Sequence, residues 1–304
     1  MANYYFGAPT SGNGDGSSGN PWSQAGFNAA SFTASTDSLN VASGFTVSIT
    51  AARANGTSIT GDGNLGVTAI DQTPAADLSL ITVAGTRIGD VAVNTVFTGN
   101  FGTLTIAVGG GALLTSNSSI LTGVSINGAG SVAVSDTVSV AQGSNLGASI
   151  STSLAFSAGI TDTLANLASG GTRTTALDAV LADDSDVVIT ISDASGTKQA
   201  ADLSAVGGGT TGTVTVSNAQ TVSGTTAEVT AALVTDATEV VLAAVSTATV
   251  TDAATAAQGQ AIAGVTNITA NFSSGITDTL ANLASDGTRT TALDAVLADD
   301  SDVV

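Results

Sequence analysis

The sequence predicts a mainly β fold, a parallel β-solenoid continuing into α/β repeat coils, and three observations carry that expectation. The first is a short pattern of Ile or Val, then Ser or Thr, then Asp or Asn, then Ala or Thr. It occurs at Val134-Ser135-Asp136-Thr137, Ile160-Thr161-Asp162-Thr163, Ile191-Ser192-Asp193-Ala194, Val216-Ser217-Asn218-Ala219, Val250-Thr251-Asp252-Ala253 and Ile276-Thr277-Asp278-Thr279. The Asp or Asn recurs after 26, 31, 25, 34 and 26 positions. A unit of about 25 to 30 residues is too small to bury its own apolar face, so each copy must stack on the next and the expected product is a rod. The second observation is a longer repeat: 160–188 and 276–304 match at 28 of 29 positions, differing only in Gly170 against Asp286. The two copies lie 116 residues apart, a distance that spans four of the motif spacings. The third is a series of short segments over 39–150 in which apolar and polar residues alternate.

Three regions follow. Residues 1–40 hold Tyr4, Tyr5, Phe6, Trp22, Phe27 and Phe32, in a chain whose aromatic content is only 4%. Aromatic rings bury the most area per residue, so gathering them at one end suits a cap over the first coil. Residues 41–150 are expected to be strands, each bounded by Gly, Asn or Asp: Phe45-Thr46-Val47-Ser48-Ile49, 65–70, 78–83, 91–97, Leu104-Thr105-Ile106-Ala107-Val108, 120–126 and Val132-Ala133-Val134. Period-two alternation puts one face in and one face out. That pattern alone fits a β-sandwich as well as a β-helix, and the neighbouring repeats favour the helix. From 151 to 304 each motif is expected to end a strand and open a helix. Val132 and Val134, Ile189 and Ile191, and Val214 and Val216 alternate inward. Asp136, Asp162, Asp193, Asn218, Asp252 and Asp278 then stand where the cap of the following helix belongs, able to accept from its free N–H groups. Leu164 with Leu167, and Leu203 with Val206, give the apolar face of such helices, and a second short helix is expected at 174–182. Thr and Ala make these helices weak alone, so stacking must stabilise them. Val304 corresponds to Val188, where the first copy continues as Ile189-Thr190-Ile191, so these residues are expected to belong to a longer array.

Two resemblances bear on this reading. Tyr4-Tyr5-Phe6, then Asn13-Gly14-Asp15-Gly16-Ser17, then Gly19-Asn20-Pro21-Trp22, resembles the entry to right-handed parallel β-helix proteins of the pectate-lyase-like kind. That resemblance covers residues 4–22 and implies a right-handed solenoid with an Ala-rich helix over its open end, for which 24–30 is the candidate. Ile160-Thr161-Asp162-Thr163-Leu164-Ala165-Asn166-Leu167-Ala168 resembles the Ala-, Thr-, Val- and Asp-rich arrays of long surface proteins of aquatic bacteria, cyanobacteria among them, and of structural proteins of their phages. It implies a structural or adhesive role, not a reaction.

Composition narrows the function classes. The 36 Gly and abundant Ser and Thr would suit disorder, yet the 43% hydrophobic content is rich in β-branched residues, which disordered chains lack. Five basic residues against 24 acidic ones give a net charge of −19. Arg53, Arg87, Arg173, Lys198 and Arg289 are too scattered for a phosphate-binding patch, so neither nucleic acid nor an anionic membrane is an expected partner. There is no Cys, hence no disulfide and no thiolate metal site, and no His. The first residues lack the basic start and apolar run of a secretory signal, and no stretch approaches 18 apolar residues.

Catalysis is not expected, because a chain without His or Cys and with a single Lys has few groups to move protons or attack a substrate. Asp62, Asp71, Asp77 and Asp90 near Arg53 or Arg87 would be the raw material of a polysaccharide-cleaving site, but nothing in their spacing selects a pair. No cofactor is expected apart from calcium. The candidate calcium ligands are Asp183, Asp184 and Asp186, repeated as Asp299, Asp300 and Asp302, since clustered hard oxygens suit that ion. The alternative, a polar turn before the strand at Val187, is favoured, with 236–239 as a less charged counterpart. Asn13-Gly14-Asp15-Gly16 and Gly61-Asp62-Gly63-Asn64 lack the glutamate of a calcium loop and read as tight turns. Gly109-Gly110-Gly111 and Gly207-Gly208-Gly209 lack the Lys of a phosphate loop and read as corners. The expected function is a non-catalytic structural protein that self-associates into a filament, sheath, surface layer or virion appendage. Its expected place is outside the cell, on the cell surface or in a virion. The alternatives are an adhesin or tail fibre that binds surface polysaccharide and, behind it, a polysaccharide lyase or hydrolase.

Overall fold

The computed structural model describes residues 3–7, 37–235 and 240–303. The expected helix at 24–30, the Asn13 turn, the aromatic residues Trp22, Phe27 and Phe32, and the turn at 236–239 lie outside them. The described residues are strand-rich, with 33% strand and 27% helix, in several parallel sheets, and no closed barrel is found among them. Helix is therefore nearly as abundant as strand, more than the alternation suggested. The chain divides into two compact units, Met1–Asp136 with Asn145–Ser157, and Thr137–Ser144 with Ala158–Val304.

In the first unit the chain visits its sheets in alternation. Strand Ser38–Val41 pairs with Asn3–Phe6 and with Ser58–Gly61, while the intervening Thr46–Thr50 joins another sheet with Asn64–Thr68. That second sheet continues through Arg87–Val91, Thr105–Val108 and Ile126–Gly128. Between those visits Thr95–Val96, Leu113–Ser116, Ser131–Val134 and Ser153–Phe156 build a third. Every pairing is parallel, and partners are close in sequence: Thr46 faces Asn64, 18 residues on. Parallel neighbours so near in sequence require the chain to come round after each strand and lie beside its last passage. One face of each strand is buried: Val47 and Ile49, Leu65 and Val67, and Ile106 and Val108. Phe97 and Phe101 stack at 3.9 Å in this core and both are buried.

Short polar side chains join one passage to the next. Asn55 Oδ1 accepts from Asp77 N at 2.8 Å, Asn64 Oδ1 from Thr86 N at 2.8 Å, and Asn94 Oδ1 from Leu113 N at 2.9 Å. Where strand was expected over 120–126, the chain forms a helical turn, Ser118–Leu121, before strand Ile126–Gly128. The Asn117 side chain accepts from Ile120 N and caps that turn, a local bond that outweighs the β-branched tendency of the segment. The segment 78–83 likewise is no full strand, and meets its neighbours through single bridges such as Ile59 to Ile81. Helix Val140–Ser149 follows the Asp136 motif, inside the span 41–150 expected to be solenoid.

The second unit adds a helix to each passage. Ile160–Asp162, Ile189–Ile191 and Val214–Val216 form one parallel sheet, and Thr197–Gln199, Thr221–Gly224, Ser246–Val250 and Ile268–Phe272 form another. Helices Ala200–Gly207, Thr226–Leu233, Ala256–Ala263 and Thr291–Asp299 pack in succession on one another. Each buries an apolar stripe, such as Leu203 and Val206, or Val229, Ala232 and Leu233. The second short helix of the long repeat is Thr175–Asp183. Gly207 ends a helix and Gly208 caps it, and Ala112 N donates to Gly109 O across a turn, so both glycine triplets mark corners.

Gly61 shows how tightly neighbouring passages approach. Its φ is +106°, and a Cβ there would collide with the backbone of Val41. Gly44 has a φ of +80° but open space around it. Gly61→Ala is therefore expected to cost about 2 to 3 kcal/mol in urea unfolding, and Gly44→Ala only about 1, because the second carries backbone strain without the collision. Equal losses would show that contact between passages does not matter at Gly61.

Candidate functional site

The recurring motifs are where this fold concentrates its polar groups, and their geometry follows from what a helix start requires. The first N–H groups of a helix have no intrahelical partner. Part of that need is met locally, by a Ser or Thr just before the helix. Thr225 accepts from Glu228 N and Thr255 from Gln258 N, each with the reciprocal bond of a capping box. Ser139 and Gln142 exchange the same pair of bonds, at 3.2 and 2.9 Å. Thr174 and Thr290 accept from Leu177 N and Leu293 N. The Ser/Thr-x-x-Gln/Glu signature was present in the sequence as Ser139-Val140-Ala141-Gln142, Thr225-Thr226-Ala227-Glu228 and Thr255-Ala256-Ala257-Gln258, and it marks these helix starts more directly than the Asp motif does.

The motif aspartates act elsewhere than the sequence implied. They do not cap the helix that follows; each reaches back to the first residue of the helix in the preceding passage. Asp136 accepts from Ser118 N at 2.6 Å and Ser118 Oγ at 2.7 Å, 18 residues earlier. Asp162 Oδ2 accepts from Val140 N at 3.1 Å, and Asp193 Oδ2 from Leu164 N at 2.6 Å. Asp252 accepts from Thr226 N at 2.5 Å and Thr226 Oγ1 at 2.7 Å, and Asp278 Oδ2 from Ala256 N at 3.1 Å. In Asp162 and Asp278 the other oxygen serves its own passage, accepting from Thr163 N and Asn166 Nδ2, or from Thr279 N and Asn282 Nδ2. The correction has a geometric cause: the strand carrying the Asp lies beside the strand of the earlier passage, which places the carboxylate against that passage's free amide. A negative charge is also favoured at a helix start. Asn218 departs from the file. Its Nδ2 donates to Asp193 O at 2.8 Å, and the helix it would serve, Ala200–Gly207, starts at Gln199 with no side-chain cap.

These bonds tune two carboxyls. The Thr226 backbone and hydroxyl donors hold Asp252 below the usual carboxylate range, and the Asn282 amide and Thr279 N–H do the same for Asp278.

The chain's single lysine sits in a shallow recess lined by Leu164, Ala168, Asp193, Thr197, Lys198 and Asp202. Lys198 Nζ lies 2.5 Å from Asp193 Oδ1, with both side chains mostly buried. Asp193 is thus fully used: one oxygen on Lys198, the other on Leu164 N, and its carbonyl accepting from Asn218 and Gln220. The pair ties strand Thr197–Gln199 to the turn just before it.

Several of the clustered acids have partners within the protein. Asp183 ends helix Thr175–Asp183, and Asp184 is its buried C-cap, donating its N–H to Val180 O. Burial pushes the Asp183 carboxyl up. In the second copy Asp299 Oδ2 accepts from Ala270 N at 2.9 Å and Asp300 Oδ2 from Phe272 N at 2.7 Å, so both satisfy the backbone of strand Ile268–Phe272. Asp186 and Asp302 are exposed. Among the described residues no three acidic side chains converge as a metal would require, and calcium takes six to eight oxygens. Asp62 lies between Gly61 and Gly63, Asp71 in the short helix Ile70–Gln72, and Asp90 in strand Arg87–Val91. Asp77 bonds Ser79, which keeps its carboxyl low, and Arg87 donates to the carbonyls of Val83 and Thr103.

No family model, curated protein or solved structure matches the chain. Among the described residues no helix is long and apolar enough to cross a membrane.

Two outcomes test this geometry. Asp193→Ala leaves Leu164 N and Lys198 without their partner and is expected to cost about 2 kcal/mol in urea unfolding, against less than about 1 for Asn218→Ala. A carboxyl held low contributes stability above its ordinary value near 3.9 and loses it as pH falls through the folded value. Stability is therefore expected to drop below about pH 4, and an Asp252→Asn, Asp278→Asn double variant to show a shallower drop than the parent. Asp183, whose carboxyl is raised, works in the opposite direction. An identical acid limb in the double variant would remove these two groups from the account.

Proposed function

We propose that the chain is a non-catalytic structural protein, built of right-handed parallel β-solenoid turns that continue as α/β turns, which self-associates into an extracellular filament, sheath, surface layer or virion appendage. The observation that carries this reading is where the reactive side chains go. The motif aspartates, Asn55, Asn64, Asn94, Asp299 and Asp300 all bond across to another passage of the chain. A molecule that commits these carboxylates to joining passages, and its lysine to a local ion pair with Asp193, keeps few such groups for substrate. Parallel pairing of successive passages supports the solenoid, since strands added one per turn are what such a winding produces. The acidic, lysine-poor composition supports a role in which surfaces stay solvated until regular contacts form.

Sedimentation velocity and negative-stain microscopy of the purified chain over a wide concentration range, with and without calcium, test the proposal. Regular assemblies that grow with concentration are expected. Compact monomers at every concentration in both conditions would contradict it.

A further inference from the structure

The near-identical copies 160–188 and 276–304 have very different surroundings, and that difference defines a surface. In the first copy Ile160, Leu164, Leu167 and Ala168 are at most 4% exposed. In the second, Leu280 is 78% exposed, and Ile276, Leu283 and Ala284 are no longer buried. The backbones correspond: each copy has a four-residue helix, Leu164–Leu167 or Leu280–Leu283, followed by a two-strand hairpin and a nine-residue helix. Even the one sequence difference keeps its conformation, with φ of +62° at Gly170 and +53° at Asp286.

The first copy shows what covers such a face. Strand Ile189–Ile191 pairs in parallel with Ile160–Asp162, with Ile160 N donating to Val188 O and Ser192 N to Asp162 O. Asp193 accepts from Leu164 N, Asp202 Oδ1 from Gly171 N at 2.6 Å, and the Ala205 carbonyl from Arg173 at 3.4 Å. Helix Ala200–Gly207 packs on both Leu164–Leu167 and the hairpin. Among the described residues nothing takes these places on the second copy. Ile276 meets Ala254 on one side only, and Leu280 N and Gly287 N have no acceptor.

We infer that the face built by Ile276, Leu280, Leu283 and Ala284 is a docking surface for a polypeptide segment of the Ile189–Gly207 kind: a β-branched strand ending in Ser-Asp, then an Ala- and Leu-rich helix. An open strand edge beside exposed leucines is the form of surface that another strand completes. The partner is specified chemically. Its strand pairs with 276–278, its first Asp takes Leu280 N, its helix covers Leu280 and Leu283, and an acidic residue in that helix takes Gly287 N. The inference rests on the internal repeat and does not depend on the assembly proposed above.

Amide hydrogen exchange of the full chain tests it, with Leu164 as the internal reference. In the free protein Leu280 N–H is expected to exchange much faster than Leu164 N–H. A synthetic peptide of sequence 187–212 is added in excess, and in a second protein the same segment is joined covalently after Val304, so that weak association cannot hide docking. Slowing of exchange at Leu280 and Gly287 by at least about tenfold in either format, lost in a Leu280→Asp, Leu283→Asp variant, is the expected result. Unchanged exchange in both formats would overturn the inference. So would protection that grows with protein concentration alone and that the peptide does not displace, because a second copy would then cover the face in another way.

Discussion

A passage of chain that carries one or two short strands and a helix of eight residues cannot satisfy itself. Its apolar face is too small to close a core, and its helix begins with amides that nothing in the same passage accepts. Both needs are met by the neighbouring passage. Parallel pairing covers the apolar face, and the carboxylate at the end of one strand reaches the first amide of the helix before it, as Asp193 reaches Leu164 and Asp252 reaches Thr226. The rest of each unit depends on that reciprocity. Strand spacing fixes where the Asp stands, and the Asp fixes where the earlier helix begins.

The same constraint accounts for composition. Thr, Ser and Asn are short enough to bond an adjacent passage without filling the space between passages, and they do so repeatedly: Ser116 Oγ donates to Phe97 O at 2.7 Å and Thr103 Oγ1 to Ile81 O at 3.0 Å. Large aromatic side chains would hold passages apart, and where Phe97 and Phe101 meet in the first unit they stack flat. Long basic side chains would add charge and conformational freedom with little to bind. Lys198 is retained where its ammonium joins strand Thr197–Gln199 to Asp193.

Much of this was legible in the residues. Alternation located the strands at Thr46–Thr50, Asn64–Thr68, Thr105–Val108 and Ser131–Val134, and the leucines located helix Thr175–Asp183. What misled was the use of local rules for groups that act across passages. An Asp before a helix looks like its cap, and only the parallel register shows that the carboxylate faces the earlier helix. Asp299 and Asp300 also act across passages, and acidic neighbours in sequence give no sign that a strand backbone 29 and 28 residues away takes their oxygens. The turn Ser118–Leu121 is hidden because the alternation of 120–126 favours a strand, while the Asn117 side chain before it caps a helical turn. The exposure of Leu280 against the burial of Leu164 does not follow from their immediate neighbours, which are identical; it follows from strand Ile189–Ile191 and Asp193, which cover the first copy.

The central claim is that each motif aspartate holds the helix behind it, not the helix ahead. Residue-resolved amide exchange in Asp252→Ala tests it most directly. The account predicts faster exchange at Thr226 N–H, with helix Ala256–Ala263 unaffected; faster exchange confined to the start of Ala256–Ala263, with Thr226 unchanged, would contradict it.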